Sequence, residues 1–140
     1  MQKELIDNNP ILKKTIEFSL VVIEYCELLD ASKKYIISKQ LLRSATSIGA
    51  NAMEAQNAES KADFIHKLKM ADKEAKETLY WMDLLRNVDR MGDQTKLRSE
   101  LDEIMKLLNS IICTSRKREK DRSRFRAGDL AGSQNSKPQE

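Results

Sequence analysis

Ser44, Ser47, Asn51 and Glu54 follow one another at spacings of 3, 4 and 3, which places them on one face of a helix. Arg43 lies beside them, and Glu74 and Glu77 sit on a later segment that can face them. Hydroxyls, an amide, a guanidinium and carboxylates are the materials of a polar binding groove or of the mouth of a channel. The same set also serves as a hydrogen-bonded layer that fixes helix register or a subunit contact, because buried polar groups must find partners. Nothing in it pairs a nucleophile with a base, so the structural reading is the stronger of the two.

A carboxylate-bridged di-iron centre is the enzyme chemistry most natural to helical bundles. It needs carboxylates from all four helices and two E-x-x-H pairs. The chain has one histidine, His66, in Asp63-Phe64-Ile65-His66. Half of the pattern is missing, and Asp63 has another use as part of a helix cap. His66 therefore reads as a surface or interface residue, and neither a metal nor another cofactor is expected. Cys26 and Cys113 fall on apolar helix faces, outside any C-x-x-C and with no base beside them. They read as reduced core residues that pack near each other. Tyr80-Trp81 has rings that can stack on bases, yet with no basic surround it reads as an interface anchor. No phosphate-cradling glycine loop, dinucleotide fingerprint or zinc-protease helix occurs, so no enzymatic activity is expected.

Charge is distributed unevenly. Residues 1–113 hold 17 Lys and Arg against 18 Asp and Glu, whereas residues 114–140 hold 8 against 4. The excess sits in Arg116, Lys117, Arg118, Lys120, Arg122, Arg124 and Arg126, opposed by Glu119 and Asp121. Such a stretch attracts phosphates by counterion release. It is equally the solvated end of a helix whose cations complement the C-terminal dipole. Any association with RNA or DNA rests on this segment, because the rest of the chain has no net charge with which to make it.

Helices must position all of these residues. The 140-residue chain suits one domain. With only 4 Gly and 2 Pro, it lacks the frequent turns that sandwiches, barrels and α/β folds require. No apolar run reaches the ~18 residues of a membrane span, and the first ten residues do not resemble a signal peptide. A cytoplasmic all-α protein with no membrane role is expected.

The first helix is expected to start near Pro10 with Asn8 or Asn9 as its cap. Between Phe18 and Leu29 its apolar residues cover most of the circumference, more than the one ~100° face that a lone bundle needs. A neighbouring subunit is the simplest cover for the surplus. The second helix is placed at residues 32–58 with Ser32 as cap. Ile37, Leu41, Ile48, Ala52 and Ala55 form its apolar side, and Ser44, Ala45, Ser47, Gly49 and Ala50 a small-residue surface. Gly49 costs about 1 kcal/mol relative to Ala in a helix, so a close backbone approach is expected there. The third helix is capped by Ser60 with Asp63 three residues on. It carries Phe64, Leu68, Ala71, Ala75, Thr78, Met82 and Leu85 at the alternating spacing of a bundle seam. Residues 89–93 form a turn, and a fourth helix from about Thr95 repeats the seam with Leu97, Leu101, Ile104, Leu108 and Ile111. Short connections and a 3.5-residue seam predict an antiparallel up-down-up-down four-helix bundle, left-handed with crossings near +20°. The bundle domain is placed at residues 1–118 and a disordered basic C-terminal tail at 119–140.

The stretch from Ser38-Lys39-Gln40-Leu41-Leu42-Arg43-Ser44-Ala45-Thr46-Ser47-Ile48-Gly49-Ala50-Asn51 into Glu54-Ala55 resembles a bacterial family. Ser60-Lys61-Ala62-Asp63-Phe64-Ile65-His66-Lys67-Leu68 and Ala71-x-x-Glu74-Ala75-x-Glu77-Thr78-x-Tyr80-Trp81 resemble the same family. These are the four-helix-bundle proteins encoded in intervening sequences of 23S ribosomal RNA genes. The likeness spans residues 10–114 and is densest in the second and third helices. It implies a subunit of a ring-like homopentamer, related to the accessory variability proteins of diversity-generating retroelements, which bind a reverse transcriptase and nucleic acid. Two functions follow as expectations. The first is a non-enzymatic, homo-oligomeric helical scaffold, pentameric, associating with nucleic acid or a nucleic-acid enzyme such as a reverse transcriptase. The alternative is a protein–protein interaction module with no nucleic-acid role, whose basic tail only confers solubility.

Overall fold

The computed structural model describes residues 2–88 and 92–134. It is all-α: α1 (Gln2–Asp7), α2 (Pro10–Ala31), α3 (Tyr35–Ala55), α4 (Lys61–Arg86) and α5 (Thr95–Gln134), with no strand among the described residues. Each of the four long helices lies alongside two others, in the cyclic order α2, α3, α4, α5 and back to α2, and among the described residues the diagonal pairs meet only through core side chains. Arg43 meets Glu74 and Glu77 while Glu54 meets Lys67, and Lys14 meets Glu103 while Tyr25 meets Gln94.

Pro10 occupies the first turn of α2, where its missing N–H leaves one donor fewer to satisfy. Asn9 is the cap residue in extended conformation, without a side-chain hydrogen bond. The start of α3 differs from expectation, because Ser32 closes α2 instead of opening α3. Lys33 takes a left-handed φ of 61°. Its N–H bonds to the Asp30 carbonyl, and the Lys34 N–H reaches back to Leu29. That pair of bonds is a Schellman stop, usually built on glycine, and it delays α3 to Tyr35. Ser60 does cap α4, its hydroxyl accepting from the Asp63 N–H at 3.0 Å, while the Asp63 carboxylate accepts from the Glu59 N–H. Before α5, Asp93 Oδ1 takes the Thr95 N–H at 2.8 Å. Gly92 has a φ of +77°. The rest of the expected turn, residues 89–91, lies outside the described residues.

The core runs along α2, α3 and α4 and along α5 as far as Ile112. Phe18, Val22 and Leu29 of α2 meet Leu41, Ala45, Ile48 and Ala52 of α3, Leu68, Ala71, Ala75 and Met82 of α4, and Leu97, Leu101, Ile104 and Leu108 of α5. Two seam positions shift by one residue: Ile65 is buried in place of Phe64, and Ile112 in place of Ile111. At Ile112 the step from Leu108 is four where the repeat asks for three, because a real helix turns in 3.6 residues and a strict seven-residue repeat drifts around it. Ile65 instead stands three residues before Leu68 where the repeat asks for four. The close approach expected at Gly49 is present. A Cβ there would stand 3.1 Å from both Cβ and Oγ1 of Thr15. Thr15 cannot easily turn away, because its hydroxyl is held by the carbonyls of Ile11 and Leu12.

The tail requires a correction. Residues 119–134 continue α5 as helix, although the end of apolar periodicity suggested disorder from 119. Arg, Lys, Glu and Ala are strong helix formers even without burial, and from residue 120 to 132 every residue is exposed. Residues 135–140 lie outside the described residues. Cys113 also departs from its expected place. It is exposed, while Cys26 is buried and donates to the Ser38 carbonyl.

Candidate nucleic-acid interface and assembly surface

The polar face of α3 divides into a buried part and a surface part. Ser44 is fully buried, and the Thr78 hydroxyl donates to its Oγ at 2.9 Å. Outside this pair, Arg43 reaches across to α4 and bonds both Glu74, at 3.3 Å, and Glu77. The guanidinium holds Glu77 below the usual carboxylate range. Burial, followed by the adjoining Glu77 carboxylate, pushes Glu74 up. Ser47 and Asn51 turn back on their own helix, donating to the carbonyls of Arg43 and Ser47. Glu54 pairs with Lys67 at 3.2 Å. Of the residues singled out on this face, the structure thus joins Arg43, Glu74 and Glu77 in one cluster with Ser44 just beneath. Ser47, Asn51 and Glu54 are engaged separately. Thr78 was read as plain core; its hydroxyl within an otherwise apolar seam was the available signal.

Beside Glu77, the Trp81 indole N–H is buried and makes no hydrogen bond of good geometry. The exposed Tyr80 ring lies edge-on to it at 5.2 Å and 67°. His66 is exposed, and Asp63 is committed to the α4 cap. Among the described residues no group of three His, Cys, Asp or Glu is arranged to hold a metal. Near the opposite end, Gln94 is buried and donates to the Tyr25 hydroxyl and the Met82 carbonyl, while Arg98 donates to its Oε1. Burial pushes both the Tyr25 hydroxyl and the Cys26 thiol up.

A second surface is apolar. Ile16, Leu20 and Ile23 of α2 are exposed at spacings of 4 and 3, with Leu20 58% accessible. Next to them, Ile16, Leu20, Ala50 and Met53 flank an open groove of roughly 330 Å³ whose floor includes Thr15 and Gly49. The small residues that bring α2 and α3 together therefore also shape this groove.

The third surface is the far half of α5. Arg116, Lys117, Arg118, Lys120, Arg122, Arg124 and Arg126 are all exposed, and none makes an ion pair among the described residues. Arg116, Lys120 and Arg124 line an open depression beside Ile65 at the start of α4. Arg118 borders another with Lys61, whose ammonium lies 5.1 Å from the centre of the Phe64 ring. No helix of the described residues is long and apolar enough to cross a membrane.

Four long helices closing on one core, with a basic helical extension, define a small helical-bundle protein. The family described as 23S rRNA-intervening sequence protein matches residues 7–110, and the chain belongs to that family. A solved structure from Bacteroides thetaiotaomicron, described as a protein of unknown function from the S23 ribosomal protein family, is similar at 43% identity and a TM-score of 0.69. The similarity covers 73% of this chain and 97% of that one. None of the curated proteins matches. The family match stops at residue 110, six residues before the first cation of the extension.

Proposed function

We propose that this protein is a non-enzymatic, homo-oligomeric helical scaffold of the cytoplasm that associates with nucleic acid or a nucleic-acid enzyme such as a reverse transcriptase. Its subunit is an antiparallel, left-handed, up-down-up-down four-helix bundle, a topology supported by the opposed order of partners along neighbouring helices. Five copies form the assembly, the number implied by the family resemblance. The observation that carries the reading is the exposed row Ile16, Leu20 and Ile23 beside the groove between α2 and α3. Full burial of an exposed Ile or Leu is worth about 1.5–3 kcal/mol. These three still expose 38%, 58% and 41% of their surface, so covering the row recovers a part of that from each and favours association. The polar groups of Arg43, Glu74 and Glu77 are occupied with one another, which supports a structural role over a catalytic one. Basic extensions gathered in one particle act together, and their joint hold on a polyanion exceeds that of a single weak one.

Light scattering behind a sizing column tests assembly. The expected mass is a multiple of 16.1 kDa, and replacing Leu20 and Ile23 with Glu should return it to one subunit. A stable monomer at micromolar concentration overturns the scaffold. A gel-shift titration comparing the full chain with one ending at Ser115 tests the extension, and equal, salt-insensitive affinity eliminates it as the tether.

One observation favours the alternative, a protein-interaction module. Tyr35 and Ile36 open α3 exposed, at 60% and 82%, as an apolar corner fitted to a protein surface. That reading predicts no retention on RNA or DNA at ~0.15 M salt.

A further inference from the structure

The seven cations of the α5 extension are not scattered around it. Successive residues turn by about 100°, so Arg116, Lys120 and Arg124 lie within an arc of about 80°. Arg118, Arg122 and Arg126 lie within another arc of the same width, on roughly the opposite side. Lys117 adjoins the first stripe. The two acids among the cations fall in the gaps, Asp121 with Phe125 on one side and Glu119 with Ser123 on the other, and Asp129 follows Arg126 at the far end of the second stripe. The result is a helix with two cationic rails about 12 Å long and acid-bearing strips between them.

A single flat polyanion needs only one rail. Two opposed rails fit a site with phosphates on both sides, separated by about the width of a helix. The major groove of B-form DNA is such a site: it is about 12 Å wide and admits an α-helix of 10–12 Å diameter between its two backbones. There each rail would face one strand. The strips between would face the groove floor and the solvent, so neither Glu119 nor Asp121 would point at a phosphate, and Asp129 lies beyond the last cation of its stripe. Duplex RNA offers no equivalent, since its major groove is too narrow for side chains to read. A single strand would call for a stacking platform, and Phe125 is the one aromatic residue of the extension. The remaining requirement is access. Residues 120–132 are exposed, so a duplex has free approach from Lys120 onward, while at the base of the extension it must clear the start of α4, where Arg116 lies beside Ile65 and Arg118 beside Lys61 and Phe64.

We propose that the α5 extension is a major-groove helix for B-form duplex DNA, with Arg116, Lys120 and Arg124 on one strand's phosphates and Arg118, Arg122 and Arg126 on the other's. This rests on the nucleic-acid reading above and selects one form of nucleic acid within it.

The test is fluorescence anisotropy of the full chain against a labelled 12-base-pair DNA duplex, the same sequence as single-stranded DNA, and the same sequence as duplex RNA. Two triple variants accompany it: Arg116→Gln with Lys120→Gln and Arg124→Gln, and Arg118→Gln with Arg122→Gln and Arg126→Gln. Gln keeps the helix propensity, and circular dichroism verifies the fold. Duplex DNA is expected to bind at least tenfold more tightly than either other probe. With six phosphate contacts, affinity should fall about 10³-fold between 50 and 200 mM salt, and only about 40-fold in either triple variant. Equal binding of the three probes, or a rail whose removal leaves the salt dependence unchanged, overturns the groove assignment while leaving a nucleic-acid tether standing. Failure of all three probes to bind at 50 mM salt overturns both.

Discussion

The two halves of α5 are one continuous helix in two physical situations. From Leu97 to Ile112 its seam is locked among α2 and α4 by Leu97, Leu101, Ile104, Leu108 and Ile112, each at most 7% exposed. From Arg116 onward it touches little but solvent and is held by intrinsic propensity alone. Starting a helix is costly and most helical stability in proteins comes from packing, so the far half depends on the near half as its nucleus. Secondary structure is therefore a poor guide to stability here. The same hydrogen-bond ladder spans regions whose local opening free energies should differ widely.

The sharpest way to break this contrast is to empty the near half. Leu108→Ala should cost about 2–5 kcal/mol in urea unfolding, because Leu108 is fully buried and a cavity remains. A loss below 1 kcal/mol would mean that α5 is not part of the core. At the entrance to the same half, Gly92→Ala should cost about 1–2 kcal/mol for the left-handed φ, read as a lower unfolding midpoint.

Charge sharpens the comparison. Arg43 on the bundle is paired, whereas the cations Arg116 to Arg126 of the extension make no ion pair among the described residues. Arg43→Met should cost no more than about 1 kcal/mol at neutral pH. The pH dependence has a definite sign. Glu77 is lowered by Arg43, so its contribution is complete above the ordinary carboxylate value of 4.5 and fades as pH falls through its folded value. Glu74 is raised chiefly by burial, so its own term acts the other way, favouring the fold in acid and weakening as pH rises through its folded value. The stability gap between wild type and Arg43→Met should therefore narrow in acid, as measured by urea unfolding from pH 7 to pH 3. The smallest effect belongs to the extension: Phe125→Ala should shift stability by less than about 0.5 kcal/mol, since the ring is 73% exposed. Hydrogen exchange should run fast over residues 118–132 and slow over 97–112.

Much of the fold was legible because its signals are chemical and local. Pro10, the Ser60–Asp63 cap, Gly49 against Thr15 and the apolar seams each name their place. What escaped did so for identifiable reasons. α1 buries no residue and carries no periodic signal. The α2 stop uses Lys33 in a conformation that its residue type does not announce. Cys113 was assigned to a core face on apolar character, but the core-facing positions there are Ile112 and Ser115. Loss of hydrophobic periodicity after Arg118 was read as loss of helix, although it marks only loss of burial. At the candidate sites, the residue types of the polar face were visible in advance. Their division into a buried Ser44–Thr78 pair and a surface Arg43 cluster depends on packing between α3 and α4, which spacing within one helix cannot specify.

From Thr95 to Ala127 α5 contains neither glycine nor proline, so over about 50 Å it has no hinge. Anything that the proposed interface at Arg126 would hold is thereby aimed by Leu101 and Leu108, and its compass bearing would belong to the bundle. Two alanines inserted after Ser115 would swing that bearing by about 200° while leaving every packed side chain where it was. Direction could thus be retuned independently of strength.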